Sequence, residues 1–142
     1  MPRLVFLVVV VLFTGCGLMG IYVQPTISLS EIAPDSSYGF TPENPIKVGG
    51  WGAVGPKNEY IYLSLLTGPN GQPITYRRLG HCCPFKTYNN SYGNWSGQFL
   101  GLLDIFEITY SGMAEPLKLY INGYDYEAPK APSGFGFRKE GS

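Results

Sequence analysis

This chain predicts a mainly β domain: a single antiparallel sheet or small sandwich built from two hairpins plus an N-terminal strand, with long Gly/Pro/aromatic loops. Three observations predict it. Gly 19, Pro 12, Tyr 11 and Phe 8 among 142 residues suit short strands joined by tight turns. Leu117, Leu119 and Ile121 alternate with Lys118, Tyr120 and Asn122, a period of two with one polar face. No segment carries a convincing 3.6-residue apolar period.

Met1 to Cys16 comes first in the chain. Arg3 precedes an unbroken apolar run from Leu4 to Phe13, and Thr14-Gly15-Cys16 closes it. A basic start, a short apolar stretch and small residues at the cut are the parts of a secretory signal, here residues 1–15. The run is well short of the roughly 20 residues that a bilayer-crossing helix needs. Cys16 after the small pair resembles the lipobox of bacterial lipoproteins, although Phe13 stands where that motif usually has Leu. The resemblance implies that the Cys16 thiol is acylated with palmitate-type chains and becomes the new N-terminus. It implies a lipid-anchored protein of the bacterial cell envelope. Gly17 is not the Asp that often retains lipoproteins at an inner membrane, so an outer membrane is favoured where the host has two.

Residues 16–37 read as a lipidated tether, with Pro25, Pro34 and several Ser. A flexible segment of that length reaches roughly 25 Å on average. The alternations Ile21-Val23 and Ile27-Leu29 would also suit an edge strand. The β domain is predicted over residues 38–136, one domain by size, with a frayed tail over 137–142.

Within the domain, Tyr38 to Pro45 is turn-rich, and Ile46-Lys47-Val48 is a short strand ended by Gly49-Gly50. Trp51 to Glu59 reads as a Gly/Pro loop. Tyr60 to Thr67 is rich in β-formers and is predicted to pair with Ile74–Leu79 across Gly68-Pro69-Asn70-Gly71. Pro69 presets the turn, and Asn70-Gly71 tolerate positive φ. Gly80 to Leu102 reads as an aromatic loop. The second hairpin pairs Leu103–Tyr110 with Leu117–Asp125, and Ala128 onward extends over the sheet.

Charge is balanced, ten basic against ten acidic residues, with no basic stripe. Nucleic acid is thereby excluded as a partner. The chain has no Gly-x-Ser-x-Gly, P-loop, His-Glu-x-x-His or dinucleotide fingerprint, so no enzyme and no cofactor are predicted. Gly80-His81-Cys82-Cys83-Pro84-Phe85 is the most unusual internal sequence. Cys82 and Cys83 read as part of a structural turn, stapled by a vicinal disulfide or holding two buried thiols, or as a reducible disulfide switch. His81 with two thiolates is a third reading, but three consecutive residues converge poorly on one ion, and no metal is expected. Asp104 with Glu107, and Asp125 with Glu127, read as solvated carboxylates. Tyr120, Tyr124 and Tyr126 share parity on the last strand and would form an aromatic face for a glycan or a partner protein.

Tyr38 to Gly50, Leu79 to Phe85 and Tyr120 to Tyr126 together resemble a family of small bacterial envelope lipoproteins of unassigned function. Some members carry the label 2-dehydro-3-deoxyphosphooctonate aldolase. That activity belongs to a TIM barrel of about 250 residues built from βα units, which this chain is too short to form. The expected function is therefore non-enzymatic: an anchored protein that binds an envelope protein or a cell-wall glycan, or serves a structural role. An immunity or inhibitor lipoprotein is a special case. The alternative is a thiol–disulfide redox protein acting through Cys82 and Cys83.

Overall fold

The structure, a computed structural model, describes residues 24–50, 54–88 and 99–139. The predicted signal peptide, Cys16 and the first part of the predicted tether lie outside the described residues. So do Trp51, residues 89–98 with Tyr92 and Trp95, and the last three residues.

The fold is mainly β. In chain order its elements are β1 (Ile46–Lys47), α1 (Gly55–Leu65), β2 (Leu66–Thr67), β3 (Ile74–Thr87), β4 (Phe99–Tyr110), β5 (Leu117–Asn122) and β6 (Gly136–Phe137). A four-stranded sheet runs in the order β1-β5-β4-β3, and β2 pairs with β6 in a separate two-stranded ribbon. The hairpin of β4 and β5 forms as its alternation predicts, with Phe106 opposite Leu119 and Asp104 opposite Ile121. Gly112, at φ 90°, turns it. At the other edge β1 runs parallel to β5, so the sheet is mixed rather than wholly antiparallel.

Helix α1 occupies the stretch read as loop through Glu59 and strand from Tyr60. Its buried residues are Gly55, Asn58, Glu59, Tyr62 and Leu63, a stripe with true helical spacing. Two of those positions are polar, while Tyr60 and Ile61 sit outside the stripe. The apolar period was therefore masked, and Tyr60-Ile61-Tyr62 mimicked a strand. Pro56, in the first turn, supplies a preset helical φ. The turn at Gly68–Gly71 forms, with the Gly71 N–H donating to the Gly68 carbonyl at 3.0 Å. The predicted hairpin shrinks to a single Thr67–Pro73 bridge. β3 instead runs on to Thr87, through the first third of the predicted aromatic loop, and pairs along its length with β4.

The core lies between one face of the sheet and α1. It holds Ile46, Val48, Tyr62, Leu63, Phe106, Ile108, Leu119 and Ile121, joined from the chain ends by Ile27, Leu29, Ala131 and Phe135. The predicted tether is thus part of the domain over its second half. Ile27 and Leu29 are buried, and Ile32 bridges Ala131 in parallel. A tether residue would tolerate truncation. Leu29→Ala is instead expected to cost about 2–3 kcal/mol in chemical denaturation, the range for emptying a buried Leu site. The C-terminal boundary also moves. Phe137 pairs with Leu66, and the Arg138 N–H donates to the Leu65 carbonyl at 2.8 Å, so the ordered chain passes the predicted tail boundary.

Candidate functional site

Where α1 crosses the sheet, a cleft of about 320 Å³ opens between Pro56 and Glu59 of the helix, Arg78 and His81 of β3, Leu102 and Asp104 of β4, and Gly123 and Tyr124 beyond β5. β3 brings its share there through an irregularity. Arg78 faces Phe106 across the ladder, Gly80 faces Ile105, and His81 faces Asp104. Between Arg78 and Gly80, β3 advances two residues while β4 advances one. Leu79 is the extra residue of a bulge, and bulges re-aim side chains. Phe106 and Asp104 share a face, so Arg78 and His81, three apart in sequence, share it too.

Arg78 grips Asp104 with two bonds: Nε to Oδ2 at 3.2 Å and Nη2 to Oδ1 at 2.6 Å. This fork geometry is the strong form of an ion pair. Glu59 comes down from the helix on the same spot, and only 3% of its surface is exposed. Burial, a hydrogen bond with Asp104 and the negative charge of Asp104 push the Glu59 carboxyl up to about 9, against a smaller opposing pull from Arg78. Glu59 therefore holds its proton at neutral pH and donates it to Asp104. Gly123 makes room for this carboxyl, since a Cβ there would lie 2.6 Å from Glu59 Oε1.

The Tyr124 wall is fixed separately. Asn122 Oδ1 accepts the N–H groups of Tyr124 and Asp125 at 2.8 and 3.0 Å, an Asx turn that redirects the chain after β5. Thr87, at the end of β3, donates to Asp125 Oδ1 at 2.6 Å. The Phe85 ring meets Tyr124 edge to face at 5.7 Å. Between His81 and Phe85 lies the Cys82–Cys83 disulfide, which is present as bonded neighbours. Cys83 is the only non-Gly residue with positive φ among the described residues, at 60°. A second one-residue bulge falls here, because β3 advances from Cys82 to Phe85 while β4 advances from Leu103 to Gly101.

The chain matches no protein-family model, no curated protein and no solved structure with which it was compared. Its chemistry must be read from its own residues.

Of the residues singled out from sequence, the structure gathers His81, Asp104 and Tyr124 at the cleft. Glu107 lies on the other face of β4 and pairs with Arg77 at 2.8 Å. Asp125 serves the turn described above, and Glu127 pairs with Lys47 at 3.1 Å. Tyr120, Tyr124 and Tyr126 do not share a strand, because β5 ends at Asn122 and the Asx turn breaks their parity. Of the three only Tyr126 is exposed. Cys82 and Cys83 hold each other, and among the described residues no three His, Cys, Asp or Glu side chains are grouped to hold a metal. The sequence reading missed Glu59 and Arg78. Helical spacing of Gly55, Asn58, Glu59 and Tyr62 was the available signal for Glu59. Nothing local marked Arg78, whose role depends on the bulge.

Proposed function

We propose that this chain is a lipid-anchored protein of the bacterial cell envelope that binds a neutral saccharide of the cell wall in the cleft beneath α1, without turning it over. One observation carries the reading: a charge-balanced polar wall faces apolar surface across a small cleft. Arg78 and Asp104 cancel, and Glu59 keeps its proton, so neither a strong anion nor a strong cation is favoured there. Side by side, the donors and acceptors of this wall suit hydroxyl and acetamide groups. Pro56, Leu102 and Tyr124 offer a surface for the C–H face of a sugar ring. The volume is at the low end for small-molecule sites, fitting a single ring. The two carboxyls argue for binding over hydrolysis. They hydrogen-bond to each other, whereas retaining glycosidases hold theirs about 5–5.5 Å apart and inverting ones wider. The anchor rests on the Met1–Cys16 sequence, and an intact mass from native membranes that starts at Cys16 with added acyl chains is the expected result for it.

Calorimetric titration of the full chain in detergent with the trisaccharide of β-1,4-linked N-acetylglucosamine tests the cleft. Saturable binding is expected. Arg78→Ala should weaken it about tenfold, the equivalent of one charged contact. Glu59→Gln, which copies the protonated carboxyl, should leave it within about threefold. Absence of saturable heat, or equal affinity in Arg78→Ala and the parent, overturns the saccharide reading.

A further inference from the structure

We propose that the Cys82–Cys83 disulfide is a reducible switch that sets the wall of the cleft. This inference deepens the reading of the cleft as a binding site and rests on it for its biological meaning, though not for its test.

Three observations support it. The disulfide sits in the one stretch of β3 flanked on both sides by the cleft: His81 lines it directly, and Phe85 buttresses Tyr124, which also lines it. The bonded pair coincides with the second bulge and with the left-handed backbone of Cys83. Only Gly adopts that region without cost, and Asn or Asp do so more readily than Cys. Bonding Cys83 to its neighbour restricts the backbone there, and cleaving the bond leaves it free to return to extended geometry. Third, the pair can be reached. Both cysteines are half-buried rather than enclosed.

The reaction is ordinary exchange with a dithiol reductant. A reductant thiolate attacks one Sγ, the Sγ–Sγ bond breaks, and its electron pair leaves with the other Sγ as a thiolate. The reductant's second thiol, as a thiolate, then attacks the reductant sulfur of the mixed disulfide and expels the attacked Sγ as a thiolate. The reductant ends as a disulfide, and the protein gains two electrons and two protons. Loss of the cross-link removes what holds the extra residue between Cys82 and Phe85. Thr87 stays tied to Asp125 at the strand end. The relaxation therefore falls on Phe85 and, through ring contact, on Tyr124.

The test uses the full chain in detergent, titrated with dithiothreitol. Iodoacetamide mass increments count the reduced cysteines, and aromatic NMR signals report the cleft. His81 is the only His of the chain, so its imidazole signal needs no assignment. Reduction without unfolding is expected, with His81 and Tyr124 signals moving in step with alkylation and returning on reoxidation. The Cys82→Ala/Cys83→Ala variant should show the reduced positions. If it does not fold, the titration of the parent chain decides. The proposal fails if the cysteines alkylate only in denaturant, or if full reduction leaves both signals in place. Moving signals without trisaccharide binding sink the saccharide and leave the switch. Equal binding to both forms with unmoved signals does the reverse.

Discussion

Replacing Glu59 by Gln is expected to raise stability at pH 8 and to flatten its dependence on pH. The folded protein holds the Glu59 proton up to about pH 9, whereas the unfolded chain releases it near 4.5, the ordinary value of a glutamate. Between those values the native state binds more protons than the unfolded state. The contribution of this group is therefore greatest below the unfolded value and falls as pH rises, levelling off above about 9. The slope is about 1.4 kcal/mol per pH unit in that window. Thermal or urea melts of the parent at pH 6 and pH 8 should differ by roughly 2–3 kcal/mol through this group. Glu59→Gln keeps a donor toward Asp104 and has no proton to lose, so that difference should vanish. The groups facing Glu59 are Asp104, Arg78 and His81, and all three remain in the variant. Equal slopes in parent and variant would show that Glu59 is ionised in the native state, and the charge balance of the cleft would be wrong.

The second large effect is expected at Gly55, where helix α1 starts. Helix propensity alone favours Ala over Gly by about 1 kcal/mol. Packing reverses the sign. A Cβ at Gly55 would overlap the carbonyl oxygen and carbon of Gly123, and neither backbone can rotate away. Gly55→Ala should therefore destabilise by about 3 kcal/mol, at the upper end of the range for overpacked sites. Gly123→Ala makes a useful contrast. Its Cβ meets the end of the Glu59 side chain, which can move. It should cost less stability and should instead displace the Glu59 carboxyl, visible as an altered pH slope in the same melts.

These two sites also show what was legible beforehand. The hairpin of β4 and β5 could be read because Leu117, Leu119 and Ile121 make a one-sided pattern, and a partly exposed antiparallel pair writes that pattern directly. The adjacent cysteines made a vicinal disulfide one of several readings, and that bond is present. Helix α1 could not be read, because Asn58 and Glu59 occupy its buried stripe. Asn58 is there to donate to the Val48 carbonyl at 2.8 Å, and Glu59 to reach Asp104. A site that needs polar groups in a core-facing position erases the periodicity by which its helix would be recognised. The cleft was hidden for a second reason. Arg78 and His81 share a face only because Leu79 bulges out, and strict alternation would have placed them on opposite faces. The tether was misjudged because Pro25, Pro34 and the serines outweighed Ile27 and Leu29, whose partners lie a hundred residues away.

That last separation has a consequence for how the protein is made. Ile27 and Leu29 share their core with Ala131 and Phe135, and β2 takes β6 as its partner strand. While the chain is being synthesised, Ile27 and Leu29 wait about a hundred residues for Ala131 and Phe135. Contacts this far apart must close long loops before they return any stabilisation, which slows folding. The nascent segment around Ile27 and Leu29 therefore has no completed core to settle into until Phe135 has been made. This core is therefore expected to close more slowly than one built from neighbouring elements.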